Sequence, residues 1–356
     1  MKSFAFESQP SRVVFGEGSF AQLPLEVERL GAKRVMLVST PGRSSLATRA
    51  RELLPKFIVE SFERAIVHVP QDVALTAREA ASRSNADLLV ALGGGSAIGV
   101  AKSVAIKSGI PILAVPTTYG GSEMTPIWGM TEEGKKETGR NPRAQPRVVI
   151  YDPSLTLSLP ARTTSCSGLN AIAHCVEALY APDSNSLTTS AALEGLRLLA
   201  TALPLLHAAL DDREQRGDAL RGAWLAGFAL GTVQMGLHHK LCHTLGGAFS
   251  LPHAETHAVL LPYTAAFNRD AAAAEMRMAA RALDVEDAPI ELFSLARNID
   301  APRTLKELGM QESDLDRAAD LAVERQYPNP APITRDGIRV LLDAAFRGDG
   351  EYVTAI

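Results

Sequence analysis

The chain has 356 residues, of which 46% are hydrophobic and 21% are charged, and its formal net charge is -4 at neutral pH. This length exceeds what one hydrophobic core usually serves, so we expect two domains. The 36 basic and 40 acidic residues create no diffuse positive field that would attract nucleic acid or anionic lipid. The composition therefore argues against a nucleic-acid or membrane partner.

The N-terminal segment MKSFAFESQPSR lacks the continuous apolar core of a signal peptide. Apolar stretches farther along are interrupted before they reach membrane-spanning length, so the sequence predicts a cytoplasmic protein. Its cysteines, Cys166, Cys175 and Cys242, show no CxxC spacing. That pattern indicates reduced core thiols instead of a disulfide or zinc framework.

The first part of the chain, up to Asp152, alternates short β-branched runs with helical stretches, which is the pattern of βαβ units. Runs such as VMLV and LLVAL are continuously apolar, as expected of parallel strands covered on both faces. Gly31 and Gly109 stand where intervening helices should end. We expect a Rossmann-like parallel sheet domain over residues 1–154, with strands at 13–15, 34–39, 65–67, 88–92 and 112–115.

After Asp152 the strand-like runs disappear and helical spacing continues nearly to the end, so residues 155–356 are predicted to form an all-helical catalytic domain. Residues 223–237 are apolar nearly all round, which predicts a helix at the centre of a bundle. The expected active site lies in the cleft between the two domains.

A glycine turn follows the strand predicted at 88–92, and a helix is predicted immediately after it, over 97–106. Glycines let backbone N–H groups approach a pyrophosphate, and the positive end of the helix dipole favours the anion. This order predicts a dinucleotide site formed by Gly93, Gly94, Gly95 and Ser96.

A second polar segment, PTTYGGSE, follows the strand predicted at 112–115, at the sheet edge where α/β proteins bind ligands. It adds Thr117, Thr118, Tyr119 and Ser122 to the predicted cofactor site. The strand predicted at 34–39 contributes Ser39 and Thr40 but no acidic residue to grip a ribose hydroxyl. NADH and NADPH therefore both remain open, and Arg43 is a candidate partner for a 2′-phosphate.

Histidines are concentrated in the predicted helical half. Asn170 and His174 are four residues apart, as are His239 and His243, so each pair should share a helix face. His253 follows shortly afterwards, whereas His238 should point elsewhere. The cluster either holds a divalent metal or supplies imidazoles as hydrogen-bond donors and acids beside a nicotinamide ring.

These motifs together resemble those of the iron-containing alcohol dehydrogenase superfamily, whose fold is related to that of dehydroquinate synthase and glycerol dehydrogenase. The resemblance rests on VVFGEG, GGGSAIGVAK, PTTYGGSEMT, IYDP, GLNAIAHCVEALY and HHKLCHTLGGAFSLPH, and it spans nearly the whole chain. It implies use of a nicotinamide cofactor and a homodimer.

The resemblance also maps the family's metal ligands onto this chain. Three histidine ligands fall on His174, His239 and His253, but the aspartate ligand falls on Asn170. A neutral amide leaves a cation's charge uncompensated, so these positions are expected to be vestigial and no metal to be required. The family's further active-site histidine falls on His243.

Two departures, Gly99 in place of an acidic residue and a shortened PTT segment, resemble the maleylacetate reductase branch. The implied reaction is reduction of the conjugated double bond of maleylacetate to give 3-oxoadipate during aromatic degradation. His243 and His253 are the expected catalytic donors, with support from His174 and His239. Lys240 is a candidate partner for a substrate carboxylate.

Three alternatives remain open. The first is a metal-dependent alcohol or polyol dehydrogenase of the same superfamily. The second is a dehydroquinate synthase-like lyase that would show no net consumption of cofactor. The third is a nucleotide-sensing protein without turnover.

Overall fold

A computed structural model of the protein describes residues 11–42, 44–132, 135–324 and 327–355. Arg43, a candidate for cofactor recognition, lies outside the described residues. The chain divides into two compact units, one ending at Leu159 and the other beginning at Pro160. The first unit is an α/β unit and the second is helical.

The α/β unit is built around parallel strands connected by helices. Its strands are β1 (Arg12–Phe15), β2 (Val35–Ser39), β3 (Ile58–Phe62), β4 (Leu88–Gly93), β5 (Ile112–Pro116), β6 (Ile127–Glu132), β7 (Lys135–Arg140) and β8 (Val148–Tyr151). Its α-helices are α1 (Leu23–Arg29), α2 (Ser44–Leu53), α3 (Gln71–Arg83) and α4 (Gly95–Ser108). Short 3₁₀ helices cover Ser19–Gln22, Ser122–Met124, Pro142–Ala144 and Pro153–Thr156.

Six strands form one parallel sheet in the order β1-β8-β5-β4-β2-β3, and β6 pairs with β7 as an antiparallel hairpin. Strands β2, β4, β5 and β8 are buried along their whole length. This burial explains their continuously apolar sequences, since both faces of the sheet are covered. The register pairs Ser39 with Leu92 and Gly93 with Pro116, so β2, β4 and β5 end at one edge.

The predicted helix ends in this unit are confirmed. Gly109 follows α4 in the left-handed region, with φ of 76°, and its N–H donates to the Ala105 carbonyl. Gly31, with φ of 70°, stands just beyond α1. Glycine tolerates this conformation because it has no Cβ to clash with the backbone.

Several predicted elements of this unit need correction. Residues 65–67 are not a strand, and Ile66 and Val67 are exposed; the strand in this region is β3, which begins seven residues earlier at Ile58. Strand β3 lies at the sheet edge and mixes polar with apolar residues, so it lacks the apolar run by which the central strands were recognised. Strand β8 and the β6–β7 hairpin were also missed.

The helical unit contains the longest helices of the described chain. They are α5 (Ala161–Tyr180), α6 (Ser186–Ala208), α7 (Arg213–Gly231), α8 (Leu237–Ala248), α9 (His253–Phe267), α10 (Ala273–Leu283), α11 (Ala288–Asn298), α12 (Leu315–Val323), α13 (Arg335–Arg347) and α14 (Gly350–Ala355). A further 3₁₀ helix covers Glu312–Asp314.

Small residues allow the first three of these helices to pack closely. A Cβ on Gly168 of α5 would lie 2.4 Å from Leu203 Cδ2 of α6, and one on Gly195 would lie 3.1 Å from the Gly222 carbonyl oxygen of α7. Helix α5 is buried on all sides from Thr164 to Leu179. The polar residues of α5 are therefore held rigidly inside the unit.

The predicted helix over residues 223–237 is wrong in one respect. Helix α7 ends at Gly231, and α8 begins at Leu237 after a non-helical connection. The apolar run continues through this connection because Val233 is buried there too, so periodicity alone did not reveal the break.

Helix α6 is long and apolar enough, by length and composition, to cross a bilayer, and 44% of its most apolar window is buried. A core helix meets the same criteria. Because α6 packs against α5 and α7, a core role accounts for its composition.

Candidate active site

The glycine turn after β4 is shaped by close packing against the segment that follows β5. Gly93 has φ of 141°, a conformation that favours glycine. A Cβ on Gly94 would lie 2.8 Å from Thr118 Oγ1, whereas a Cβ on Gly95 would meet nothing within 4 Å. The turn therefore packs tightly on one side and leaves its backbone open at Gly95.

Two buried hydroxyl groups flank this turn. Ser39 and Thr117 are fully buried, and in the part of the chain that the structure describes neither Ser39 Oγ nor Thr117 Oγ1 has a hydrogen-bond partner. Ser39 ends β2 and Thr117 directly follows β5, on the two strands that neighbour β4. Thr40 lies beside the turn, with its Oγ1 3.8 Å from the position of a Cβ on Gly93.

This sheet edge has the chemistry of an anion site. Helix α4 begins at Gly95, no acidic residue occupies its first turn, and Ser96 is partly accessible. The free N–H groups and the dipole of a helix start favour a phosphate group. Unpartnered hydroxyl groups beside them offer further hydrogen bonds.

Two of the predicted cofactor residues have other contacts. Tyr119 is fully buried and its hydroxyl lies 3.4 Å from Thr156 Oγ1, so its side chain belongs to the core. The Ser122 carbonyl accepts a 2.6 Å hydrogen bond from the Lys102 amine. The Tyr119 side chain and the Ser122 carbonyl are therefore already engaged, so a ligand would contact the Tyr119 backbone and the Ser122 side chain.

In the helical unit, six imidazoles from α5, α8 and α9 form one connected cluster. The His174 and His239 rings are stacked with centroids 5.0 Å apart, and His257 lies 5.0 Å from His239 and 4.6 Å from His253. His243 is 6.3 Å from both His239 and His253. The ring of His238, expected to point elsewhere, instead joins the cluster 4.8 Å from His257.

Exposure differs within the cluster. His174, His238, His239 and His257 are between 0% and 4% exposed. His243, His253 and the neighbouring Lys240 are only half-buried. The imidazoles that a substrate can reach are therefore those of His243 and His253.

Glu177 holds two adjacent residues of α8 from its position on α5. Its Oε1 accepts a 2.9 Å hydrogen bond from the His238 backbone N–H, and its Oε2 bonds to His239 Nδ1. Burial by itself raises the pKa of Glu177, but the interactions with His239 and His238 outweigh it and lower the pKa below its usual value. The carboxylate is therefore ionised and accepts from His239 Nδ1–H, so His239 turns its Nε2 toward the cluster.

A chain of hydrogen bonds also fixes the orientation of His257. Thr264 Oγ1 makes hydrogen bonds to the Leu260 and Leu261 carbonyls, 3.0 and 3.1 Å away, and lies 2.8 Å from His238 Nδ1. His238 Nε2 lies 2.8 Å from His257 Nδ1. Since a helical threonine donates its single proton backwards, we infer that His238 Nδ1–H donates to Thr264 and that His257 Nδ1–H donates to His238. This assignment leaves a lone pair on His257 Nε2.

Three buried histidines, His174, His238 and His257, have lowered pKa values, so their imidazoles are neutral at neutral pH. Burial and the neighbouring His239 together lower the pKa of His238 to about 3, although Glu177 opposes this shift. Burial and the surrounding imidazoles also hold the pKa values of His174 and His257 well below their usual range. The cluster therefore offers neutral nitrogen atoms instead of positive charge.

The positions of the family's metal ligands do not fit a tightly held iron ion. Asn170 Oδ1, His174 Nδ1 and His239 Nε2 are buried without a partner among the described residues, but the oxygen ligand is a neutral amide. Both oxygens of Glu177 are already used as acceptors, so this carboxylate does not replace the missing one. Among the described residues, His238, Cys242 and His257 have ligand-type atoms within 4.8 Å of one another. None of these three residues stands at a position of the family's metal ligands.

Sequence reasoning missed Glu177 and His257. Both carried a usable signal, because Glu177 lies three residues after His174 and His257 lies four residues after His253. Such spacing places each beside a histidine that had been identified. Their partners on other helices, His239 and His238, depend on the tertiary structure.

Comparisons with known proteins show to which family the chain belongs. Residues 10–153 match the iron-containing alcohol dehydrogenase family, and residues 164–346 match the C-terminal region of the Fe-containing alcohol dehydrogenase family. A maleylacetate reductase of Burkholderia cepacia is 52% identical over 348 residues, covering 98% of this chain and 99% of the relative.

Solved structures show the same similarity. The maleylacetate reductase of Agrobacterium tumefaciens superimposes with a TM-score of 0.93 at 45% identity, covering 98% of this chain and 99% of that protein. The maleylacetate reductase of Rhizobium sp. strain MTP-10005 gives a TM-score of 0.93 at 44% identity, with the same coverage.

The glycine turn provides a matched pair of substitutions. Gly94→Ala should weaken binding of reduced nicotinamide cofactor at least about tenfold and lower stability by about 1–3 kcal/mol, because its Cβ collides with Thr118. Gly95→Ala should leave the free energy of unfolding within about 0.5 kcal/mol, since that Cβ meets open space. Cofactor fluorescence titration and urea unfolding measure both effects; equal stabilities of the two variants would contradict this packing.

The neutral histidine cluster predicts a dependence of stability on pH. His238, His174 and His257 have lowered pKa values in the folded protein, so the unfolded chain binds more protons below about pH 6.5. Stability should be fully present above that pH and decline on acidification toward pH 3, by up to about 1.4 kcal/mol per pH unit for each histidine. Urea unfolding between pH 8 and pH 5 measures this, and His257→Gln should show a shallower decline than the parent protein.

Proposed function

Since the chain belongs to the iron-containing alcohol dehydrogenase family, we propose that it is an oxidoreductase that reduces the conjugated carbon–carbon double bond of maleylacetate to 3-oxoadipate. The observation that carries this proposal is a histidine cluster in which Asn170 stands at the position of the metal-binding carboxylate. The 52% identity to a maleylacetate reductase supports the same substrate.

The reaction begins with hydride transfer. A reduced nicotinamide held at the glycine turn would supply the hydride, which adds to the carbon β to the ketone while the electron pair of the double bond moves onto the ketone oxygen, forming an enolate. A proton then adds to the α-carbon. Catalysis requires a hydrogen-bond donor at the enolate oxygen and an acid for the carbon, because stabilising the developing charge lowers the barrier.

His243 and His253 fit these two roles. They are the half-buried members of the cluster, whereas His174 and His239 are buried behind them. His239 and His257 turn their Nε2 atoms toward the cluster, so we assign the donor role to the accessible imidazoles. His174 and His239 support this surface, and half-buried Lys240 is a partner for a substrate carboxylate.

We propose that catalysis needs no metal. An enolate is less basic than the alkoxide formed by an alcohol dehydrogenase, so imidazole hydrogen bonds can stabilise it without a Lewis acid. The neutral donor set around Asn170 is consistent with this difference. A metal-dependent alcohol dehydrogenase is the second candidate, since Asn170 Oδ1 and His239 Nε2 are buried without a partner.

The reduced cofactor is NADH or NADPH, held by the glycine turn, by Ser39, Thr40, Thr117, Thr118 and Ser122, and by the Tyr119 backbone. The sequence STPG at the end of β2 brings no carboxylate that would repel a 2′-phosphate. We propose functional domains over 1–154 and 155–356, for dinucleotide binding and catalysis, in a cytoplasmic homodimer.

The deciding assay combines metal-stripped protein, maleylacetate and either reduced cofactor, followed at the nicotinamide absorbance. We expect turnover that EDTA does not abolish, and a fall in kcat of at least about 100-fold in His243→Ala and His253→Ala. Restoration of EDTA-treated enzyme by stoichiometric iron or zinc would instead establish the metal-dependent alternative. Full turnover by both histidine variants would remove them from the mechanism.

Glu177→Gln tests how His239 is oriented. The glutamine oxygen would keep the bond from the His238 N–H, and its amide would face His239 Nδ1, which moves the imidazole proton to Nε2. We expect kcat to fall at least about tenfold with little loss of stability. Glu275→Gln is the matched control, because Glu275 lines the same cavity as Glu177 from α10. Unchanged kcat in Glu177→Gln would contradict the assignment.

A further inference from the structure

Lys102 is a buried cation on α4, the helix that follows the glycine turn of the predicted cofactor site. It lies on α4, is 2% exposed, and donates hydrogen bonds to the carbonyls of Ser122, Thr125 and Ile127 at 2.6, 2.8 and 2.7 Å. Its amine also lies 3.1 Å from Thr125 Oγ1. The three carbonyls match the three N–H donors of an ammonium group.

The charge of Lys102 is sustained by these contacts. Burial and, to a smaller extent, Arg140 lower the pKa of Lys102 to about 7, although Glu123 opposes this shift. A neutral amine has two N–H groups and could not serve all three carbonyls, so the carbonyl contacts favour the charged form. Tyr151 of β8 donates a 2.7 Å bond to Glu123 Oε1, which fastens the same segment to the sheet.

The segment bound by Lys102 directly continues the second cofactor loop. Residues 117–121 lead into Ser122, and Thr118 packs against Gly94 at the start of α4. Lys102 is on that same helix, about two turns after the glycine turn. One helix therefore carries the first phosphate loop at its start and the anchor of the second loop on its side.

We propose that Lys102 is a positioning residue for the cofactor: its ammonium group holds the 122–127 segment so that Thr117, Thr118 and Ser122 face the bound dinucleotide. This inference rests on the proposed use of a nicotinamide cofactor. It assigns Lys102 no contact with substrate or with the reacting carbon. Its removal should therefore change cofactor affinity much more than the rate of the chemical step.

The neighbouring groups explain why an apolar side chain would not serve. Replacing Lys102 with methionine keeps much of the volume but leaves three carbonyls without a donor, and each unmade buried bond costs about 1–3 kcal/mol. The segment can regain hydrogen bonds only by moving toward water. Such a movement would carry Ser122 and the preceding loop away from the glycine turn.

The test compares Lys102→Met with Lys107→Met, which removes an exposed lysine from the last turn of the same helix. In Lys102→Met we expect the Kd of reduced cofactor, measured by fluorescence without substrate, to rise at least about tenfold. The kcat at saturating cofactor should stay within about threefold of the parent protein. Hydrogen exchange should quicken in residues 117–127 alone, and Lys107→Met should match the parent protein in all three measurements.

Two results would overturn the inference. One is faster exchange in residues 117–127 with an unchanged Kd, which would mean that the segment does not hold the cofactor. The other is weaker binding accompanied by faster exchange throughout residues 11–159, which would mean a general structural role.

Thr125→Val keeps the test decisive if Lys102→Met does not fold. It removes the Oγ1 contact with Lys102 in a side chain of similar shape, and it should raise Kd about threefold. An unchanged Kd in Thr125→Val would then overturn the inference. If the parent protein binds the cofactor but does not reduce maleylacetate, the proposed substrate fails while the Kd comparison still decides the role of Lys102.

Discussion

The arrangement of the histidine cluster depends on the hydrogen bonds of the Glu177 carboxylate. It reaches from α5 to the start of α8 and there binds both the His238 backbone and the His239 ring. A buried carboxylate is stable only with such partners, and removing either one would leave an uncompensated charge. The requirement ties two helices together and fixes which nitrogen of His239 faces the other imidazoles. The His238 ring in turn orients the His257 ring through the hydrogen bond between them.

In the proposed mechanism, the buried histidines act as acceptors and the accessible His243 and His253 act as donors. The neutral, buried histidines lower one another's pKa values, so positive charge is kept away from the centre of the cluster. A metal ion bound by those lone pairs would lack an anionic ligand, because the position of the family's carboxylate holds the neutral amide of Asn170. With Asn170 at that position, the same scaffold suits stabilisation of an enolate by hydrogen bonds.

In the α/β unit, the corresponding contacts hold the loops at the ends of three strands in place. Gly94 lets Thr118 approach the turn, and the Lys102 amine binds the carbonyls of Ser122, Thr125 and Ile127. Both devices connect the loops after β4 and β5 to α4. The buried hydroxyls of Ser39 and Thr117 then flank the start of that helix.

The sequence by itself determined the fold class, the glycine turn with its helix, and most of the histidines, because buried parallel strands and helices have distinct apolar periods. Strand β3 escaped detection because it lies at the sheet edge, where only part of its surface needs to be apolar. Only the tertiary structure decided which imidazoles are neutral, which nitrogens are acceptors, and that Tyr119 belongs to the core. Protonation and hydrogen bonding depend on contacts between residues far apart in the chain, such as Glu177 with His239. The local spacing of residues in the sequence does not predict those contacts.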